Sequence, residues 1–222
     1  MHSKRFLTCG LAGLLAAMLA ACAAPPASNY YTLLPQAAQA GQPPKLSHRL
    51  AIDVQAVNVP QQVDRPQIVL NQPGSARVTP LNGALWAAPL SEEIRSALAD
   101  ALVRRLDALD ASGQRAGKDL PLWVVRVTVQ RFESVHADHA VLAASWRLTP
   151  RNQSSAHGML CRAQIRVEVG PGMPALVQGH QQAVLHLADL VAAGIAGTPA
   201  QPAPGVVQQG CMSVATGAAE AS

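Results

Sequence analysis

Apolar and polar positions alternate with two distinct periods along this chain, and the switch between them marks out its elements. Leu50, Ile52 and Val54 alternate with Ala51, Asp53 and Gln55, the period of a half-buried strand that runs out at Pro60. Residues 122–132 are rich in β-branched side chains. Trp123, Val125, Val127 and Val129 fall on one face and Val124, Arg126, Thr128 and Gln130 on the other. Residues 140–149 and 159–169 read the same way, with the polar stretch 150–158 between them, so three consecutive strands predict an antiparallel meander. Shorter strands are expected at 30–34 and 67–71, with a further one at 76–80.

Helical spacing takes over at residues 91–109. Ile94, Leu98, Leu102, Leu106 and Leu109, with Ala97 and Ala101, form one apolar stripe of the kind that packs on a sheet. Ser91 is a suitable N-cap, Glu92 and Glu93 lie in the first turn, and Arg104 and Arg105 lie toward the other end, a distribution that complements the helix dipole. A second helix is expected over 180–195, with Val184, Leu187, Val191 and Ile195 inward. Residues 35–47 and 110–121 carry Gly and Pro and read as loops. From Gly197 onward the composition is Ala, Pro, Gly, Gln and Ser, which predicts a disordered tail over 197–222 except where Cys211 pins it.

These elements predict an α/β fold, a mixed or mainly antiparallel sheet of about five to seven strands with two principal helices packed on it. One domain over residues 30–196 accommodates them.

The first residues change the picture. Lys4 and Arg5 precede an apolar stretch over residues 6–21, and Leu19, Ala20 and Ala21 stand directly before Cys22. This arrangement resembles the lipobox of bacterial lipoproteins, so 1–21 reads as a signal peptide and 22–29 as a lipidated tether. The resemblance implies a diacylated Cys22 thiol and usually an acylated new amino group, an anchor that holds a protein stably on a bilayer. An ordinary cleaved signal with an incidental cysteine is the alternative. A membrane span fits poorly, because the run is about 16 residues, short of the ~20 that hydrocarbon requires, and Pro25 and Pro26 follow it. Ala23 stands where lipoproteins kept on the inner membrane typically carry Asp, which favours the outer membrane, facing the periplasm.

Loss of residues 1–21 removes Lys4 and Arg5 from 17 basic residues and none of the 13 acids, leaving a net charge of +2. Nucleic-acid binding, which needs clustered Lys and Arg, is not expected. Cys9 leaves with the signal and Cys22 takes the lipid, so Cys161 and Cys211 remain in an oxidising compartment. A disulfide between them, closing a loop of about 50 residues, is the simple inference, with two free thiols as the alternative.

Tyr30, Tyr31, Thr32 and Leu33, then residues 50–60, then Asp64, Arg65, Pro66, Gln67, Ile68 and Val69, then Trp86, Ala87, Ala88, Pro89 and Leu90 opening a helix, form a spaced set. This set resembles the ABC-type transport auxiliary lipoproteins, the PqiC (YmbA) family, over about residues 19–195. The resemblance implies a non-enzymatic outer-membrane lipoprotein. It would work with an MCE-domain protein anchored in the inner membrane and with a transporter that moves lipids across the periplasm, and would assemble as a homo-oligomeric ring. Leu85 and Ala88 depart from positions that are often polar or charged in relatives.

Asp64, Arg65 and Trp86 are the candidate partner-contact residues, because loop aromatics and arginines are enriched at interface hot spots. The plainer alternative is a self-bonded turn beside proline, with Trp86 closing the end of the core. His136 and His139, with Asp138 between them, offer metal-capable groups, but no third and fourth ligands stand at recognisable spacing, so no metal is expected. No nucleophile elbow, phosphate-cradling loop or paired-carboxylate motif is present, so neither catalysis nor a cofactor is expected. The alternatives are an envelope-assembly lipoprotein and a periplasmic lipid carrier; a carrier would need a large apolar cavity, against which 3% aromatic content argues.

Overall fold

The computed structural model describes residues 27–35, 50–113, 120–153, 156–201 and 203–214. The signal segment, Cys22 and most of the tether lie outside the described residues, as do 36–49 and 215–222.

The meander is the centre of the fold. Strands β6 (Leu122–Val135), β7 (His139–Arg151) and β8 (Gly158–Glu168) pair antiparallel in sequence order. Strand β2 (Ala51–Val54) adds parallel to β6, and the short β5 (Leu109–Asp110) adds parallel to β2. A register shift between Val129 and Arg131 inserts one extra residue, so Phe132 returns to the face that carries Val125, Val127 and Val129. A second sheet is built from β3 (Gln67–Asn71), β4 (Val78–Trp86) and β1 (Asn29–Tyr31), with β4 between the other two. The α/β class with two principal helices is as expected, and among the described residues the strands divide between sheets of six and three.

Helices α1 (Leu90–Leu106) and α2 (Met173–Ala196) bury one stripe each in a continuous core with the larger sheet. Ile94, Leu98 and Leu102 of α1 and Val184, Leu187 and Val191 of α2 are inaccessible or nearly so. Arg105 of α1 pairs with Asp189 of α2 and also donates to the Leu185 carbonyl, tying the helices together at their exposed rims.

Four sequence expectations are corrected. Pro89, not Ser91, precedes α1, and its carbonyl accepts from Glu92 N and Glu93 N at 2.9 and 3.0 Å. Asp107 adopts a left-handed conformation (φ 46°) that ends the helix, so Leu109 leaves the stripe, enters β5 and is exposed. Helix α2 begins seven residues before 180, because Pro174 sits in the first turn, where its missing N–H costs nothing. Within it, Gly179 lets the helix approach the sheet: a Cβ there would stand 2.2 Å from Val169 Cγ1. Residues expected in a disordered tail form β9 (Val206–Val214), paired antiparallel along the edge of β8. Its backbone hydrogen bonds to β8 order it although almost none of its side chains are buried.

Candidate functional site

The segment that follows the tether is fastened to the body at residues 29–34. Tyr31 lies beside Trp86 in the parallel pairing of β1 with β4, and the Tyr31 carbonyl accepts from Ala87 N at 2.7 Å. Directly after the strand, Glu93 Oε2 of α1 accepts from Thr32 Oγ1 and from Leu33 N, both at 2.7 Å. Gln181 Nε2 of α2 donates to the Thr32 carbonyl at 2.9 Å. Leu33 itself is fully buried. Both helices and the smaller sheet therefore hold this short strap, and the buried carboxylate satisfies a backbone N–H that would otherwise be orphaned. Only 5% of Glu93 is exposed.

Asp64 and Arg65 lie in an exposed turn whose backbone is closed by Asp64 N to Pro60 O at 3.1 Å and Arg65 N to Val63 O at 2.9 Å. Trp86 is joined to this turn through its backbone, Trp86 N donating to Pro66 O at 2.7 Å, but its ring points the other way. The indole is 4% exposed and meets Phe132 and His180 edge-on, with centroids 6.1 and 6.2 Å away. Trp86 therefore closes the core and presents no ring to a partner. Asp64 and Arg65 remain on the surface without it.

His180 is the centre of this aromatic group. It stacks on Phe132 at 4.1 Å, and its Nε2 lies 2.8 Å from Ser134 Oγ. Burial pushes its pKa down to about 3, so the ring is neutral. A serine bonded to a histidine suggests a nucleophile and its base. Here both residues are buried, and among the described residues Nδ1 has no hydrogen-bond partner to orient it. The pair is a core hydrogen bond.

His136 and His139 are drawn to separate partners. His136 Nε2 accepts from Gly172 N at 3.2 Å, whereas His139 Nδ1 lies 2.9 Å from Asp138 Oδ1. The bond to His139, with Arg166 nearby, holds the exposed Asp138 carboxyl below the usual carboxylate range. Among the described residues no three His, Cys, Asp or Glu side chains converge as a metal site. Cys161 of β8 and Cys211 of β9 are register partners and are joined by a disulfide. No helix among the described residues is long and apolar enough to cross a membrane.

The site is thus a secured N-terminal strap on an α/β body. Residues 31–192 match the family model of the ABC-type transport auxiliary lipoprotein component, and the chain belongs to that family. Solved structures agree on the fold. The chain is similar to a protein whose crystal structure is titled only as that of an uncharacterized protein, at 22% identity and a TM-score of 0.56, over 76% of this chain and 99% of the other. It is also similar to a DUF330 protein of Xanthomonas campestris, at 17% identity and a TM-score of 0.50, over 70% of this chain and 90% of the other. Among curated proteins, none matches the sequence.

Proposed function

We propose that this protein is a non-enzymatic subunit anchored to the outer membrane through acylated Cys22, where it positions the periplasmic end of an MCE-type lipid transport assembly. Membership of the transport auxiliary family supports work beside a transporter. The observation that carries the positional reading is the strap. Eight residue steps separate Cys22 from Tyr30, at most about 28 Å when extended, and the chain is then fixed within a few residues by β1, Glu93 and Gln181. A body held so close to its anchor transmits position, and a ring of copies would add avidity for a symmetric partner.

Two measurements test this. Cys22→Ser should release the protein from the membrane fraction and abolish labelling by radioactive palmitate. Affinity capture of the wild type in mild detergent should recover an MCE-domain protein. An unchanged distribution of Cys22→Ser removes the anchor, and repeated failure to recover such a partner removes the docking role.

One observation favours a second reading, a lipid carrier. An open cleft of about 1030 Å³ lies between the C-terminal halves of the helices and residues 198–201 and 203–206, lined by Leu106, Leu190 and Val206 together with the polar Arg105, His186 and Asp189. Native mass spectrometry separates the two, since a carrier retains lipid through purification and an adaptor does not.

A further inference from the structure

The face of the larger sheet turned away from the helices carries an unbalanced set of charges. Side chains alternate along each strand, so the register that places Val125, Trp146 and Cys161 in the core places their neighbours on the opposite face. One row across that face runs Arg126 of β6, Arg147 of β7, Leu160 of β8 and Met212 of β9, each opposite the next. Arg162 follows in the next row, opposite Ser145, and Arg151 lies opposite Leu122. All four arginines are exposed, and so are Leu160 and Met212, the latter at 62%.

Like charges directly opposite on neighbouring strands destabilise a sheet. At the hairpin end of the same face the charges are balanced: Arg131 pairs with Glu133, and Arg166 with Glu168 and Asp138. Among the described residues, Arg126, Arg147, Arg151 and Arg162 have no such carboxylate. A guanidinium fork matches a carboxylate in two bonds, and exposed apolar side chains set among arginines have the composition of an interface.

We propose that this face docks an acidic stretch of a protein partner, its carboxylates on Arg126, Arg147 and Arg162 and its apolar side chains on Leu160 and Met212. The choice of a protein over a bilayer rests on the anchored Cys22 proposed above. Residues 32–34 lie against α1 and α2, on the helix side of the larger sheet, so the anchor draws that side toward the membrane and leaves the arginine face open to the periplasm.

The test uses the full lipidated chain in detergent micelles and a dye-labelled peptide in which Glu residues flank Leu, with binding read by fluorescence anisotropy at two salt concentrations. The wild type should bind the peptide, more weakly at high salt. Arg126→Gln/Arg147→Gln should weaken binding roughly fivefold to tenfold and should melt no lower than the wild type, because it removes a repulsion. Arg131→Gln/Arg166→Gln, which breaks balanced pairs, should weaken binding less than twofold. Equal losses in the two double variants reduce the effect to net charge and overturn the site, as does a wild type that ignores the peptide. A third overturning result is sedimentation with phosphatidylglycerol vesicles that depends on Arg126 and Arg147, which makes the occupant a lipid surface. None of these readouts depends on whether Cys22→Ser changes membrane residence, so the anchor and the docking face fail separately.

Discussion

Glu93 and Leu33 stand 60 residues apart in sequence, yet the Glu93 carboxylate accepts the Leu33 backbone N–H at 2.7 Å inside the core. The same oxygen takes the Thr32 hydroxyl. One acidic side chain thus fixes the point at which the N-terminal segment joins the body.

Glu93→Ala leaves the Leu33 N–H buried without an acceptor and should cost about 1–3 kcal/mol. Glu93→Gln keeps an amide oxygen in place and should cost less. Urea denaturation gives both values. Amide exchange at residues 29–34 should accelerate in the Ala variant more than exchange in β6 or β7, and uniform acceleration would refute a local clamp.

Trp86→Ala should destabilise by about 3–5 kcal/mol, the range for deleting a large core aromatic. Arg65→Ala, in the exposed turn bonded to the same tryptophan backbone, should stay within about 0.5 kcal/mol. Chemical denaturation of the two variants side by side checks the division between core and surface.

Acid sensitivity should trace to His180. Its pKa falls to about 3 in the folded protein against about 6.5 in the unfolded chain, so between these values the unfolded state binds a proton that the folded state refuses. The stability is fully present above pH 6.5 and declines as pH falls toward 3. Between pH 7 and pH 5 the wild type should lose about 2 kcal/mol more than Ser134→Ala/His180→Leu, a double change that leaves no orphaned hydroxyl. Parallel pH profiles for the two proteins would assign the acid limb elsewhere.

Reduction of the Cys161–Cys211 bond should lower stability by about 2–4 kcal/mol, the scale for a loop of 50 residues. Cys211→Ser should do the same while keeping the buried Cys161 thiol in place. Melting midpoints with and without reductant measure this, and protease cleavage should appear first in 203–214, because β9 buries little else to hold it.

The strands of the meander were legible because Val125, Val127 and Val129 alternate with polar neighbours on a sheet covered on one side. The stripe of α1 was legible for the same reason at helical spacing. Elements held by something other than apolar periodicity were hidden. Strand β9 exposes both faces and exists through backbone pairing and one disulfide, so its composition resembles that of a loop. The first seven residues of α2 contain Pro174 and Gly179, which local rules read as interruptions although one suits the first turn and the other permits close packing on Val169. Glu93 carries the same acidic signal as its exposed neighbour Glu92, and only the arrival of residue 33 from a distant segment distinguishes them. Arg126 could be placed on the polar face of its strand from alternation alone, but its position opposite Arg147 needed the register of two strands.

The three-residue length of β1 has a mechanical consequence. If the chain is anchored and docked as proposed, load between anchor and partner would enter through β1 and its few bonds to β4, Glu93 and Gln181, with the long meander beyond them. Under such tension the strap is expected to peel before the meander, a short first extension that force spectroscopy on the anchored chain would record.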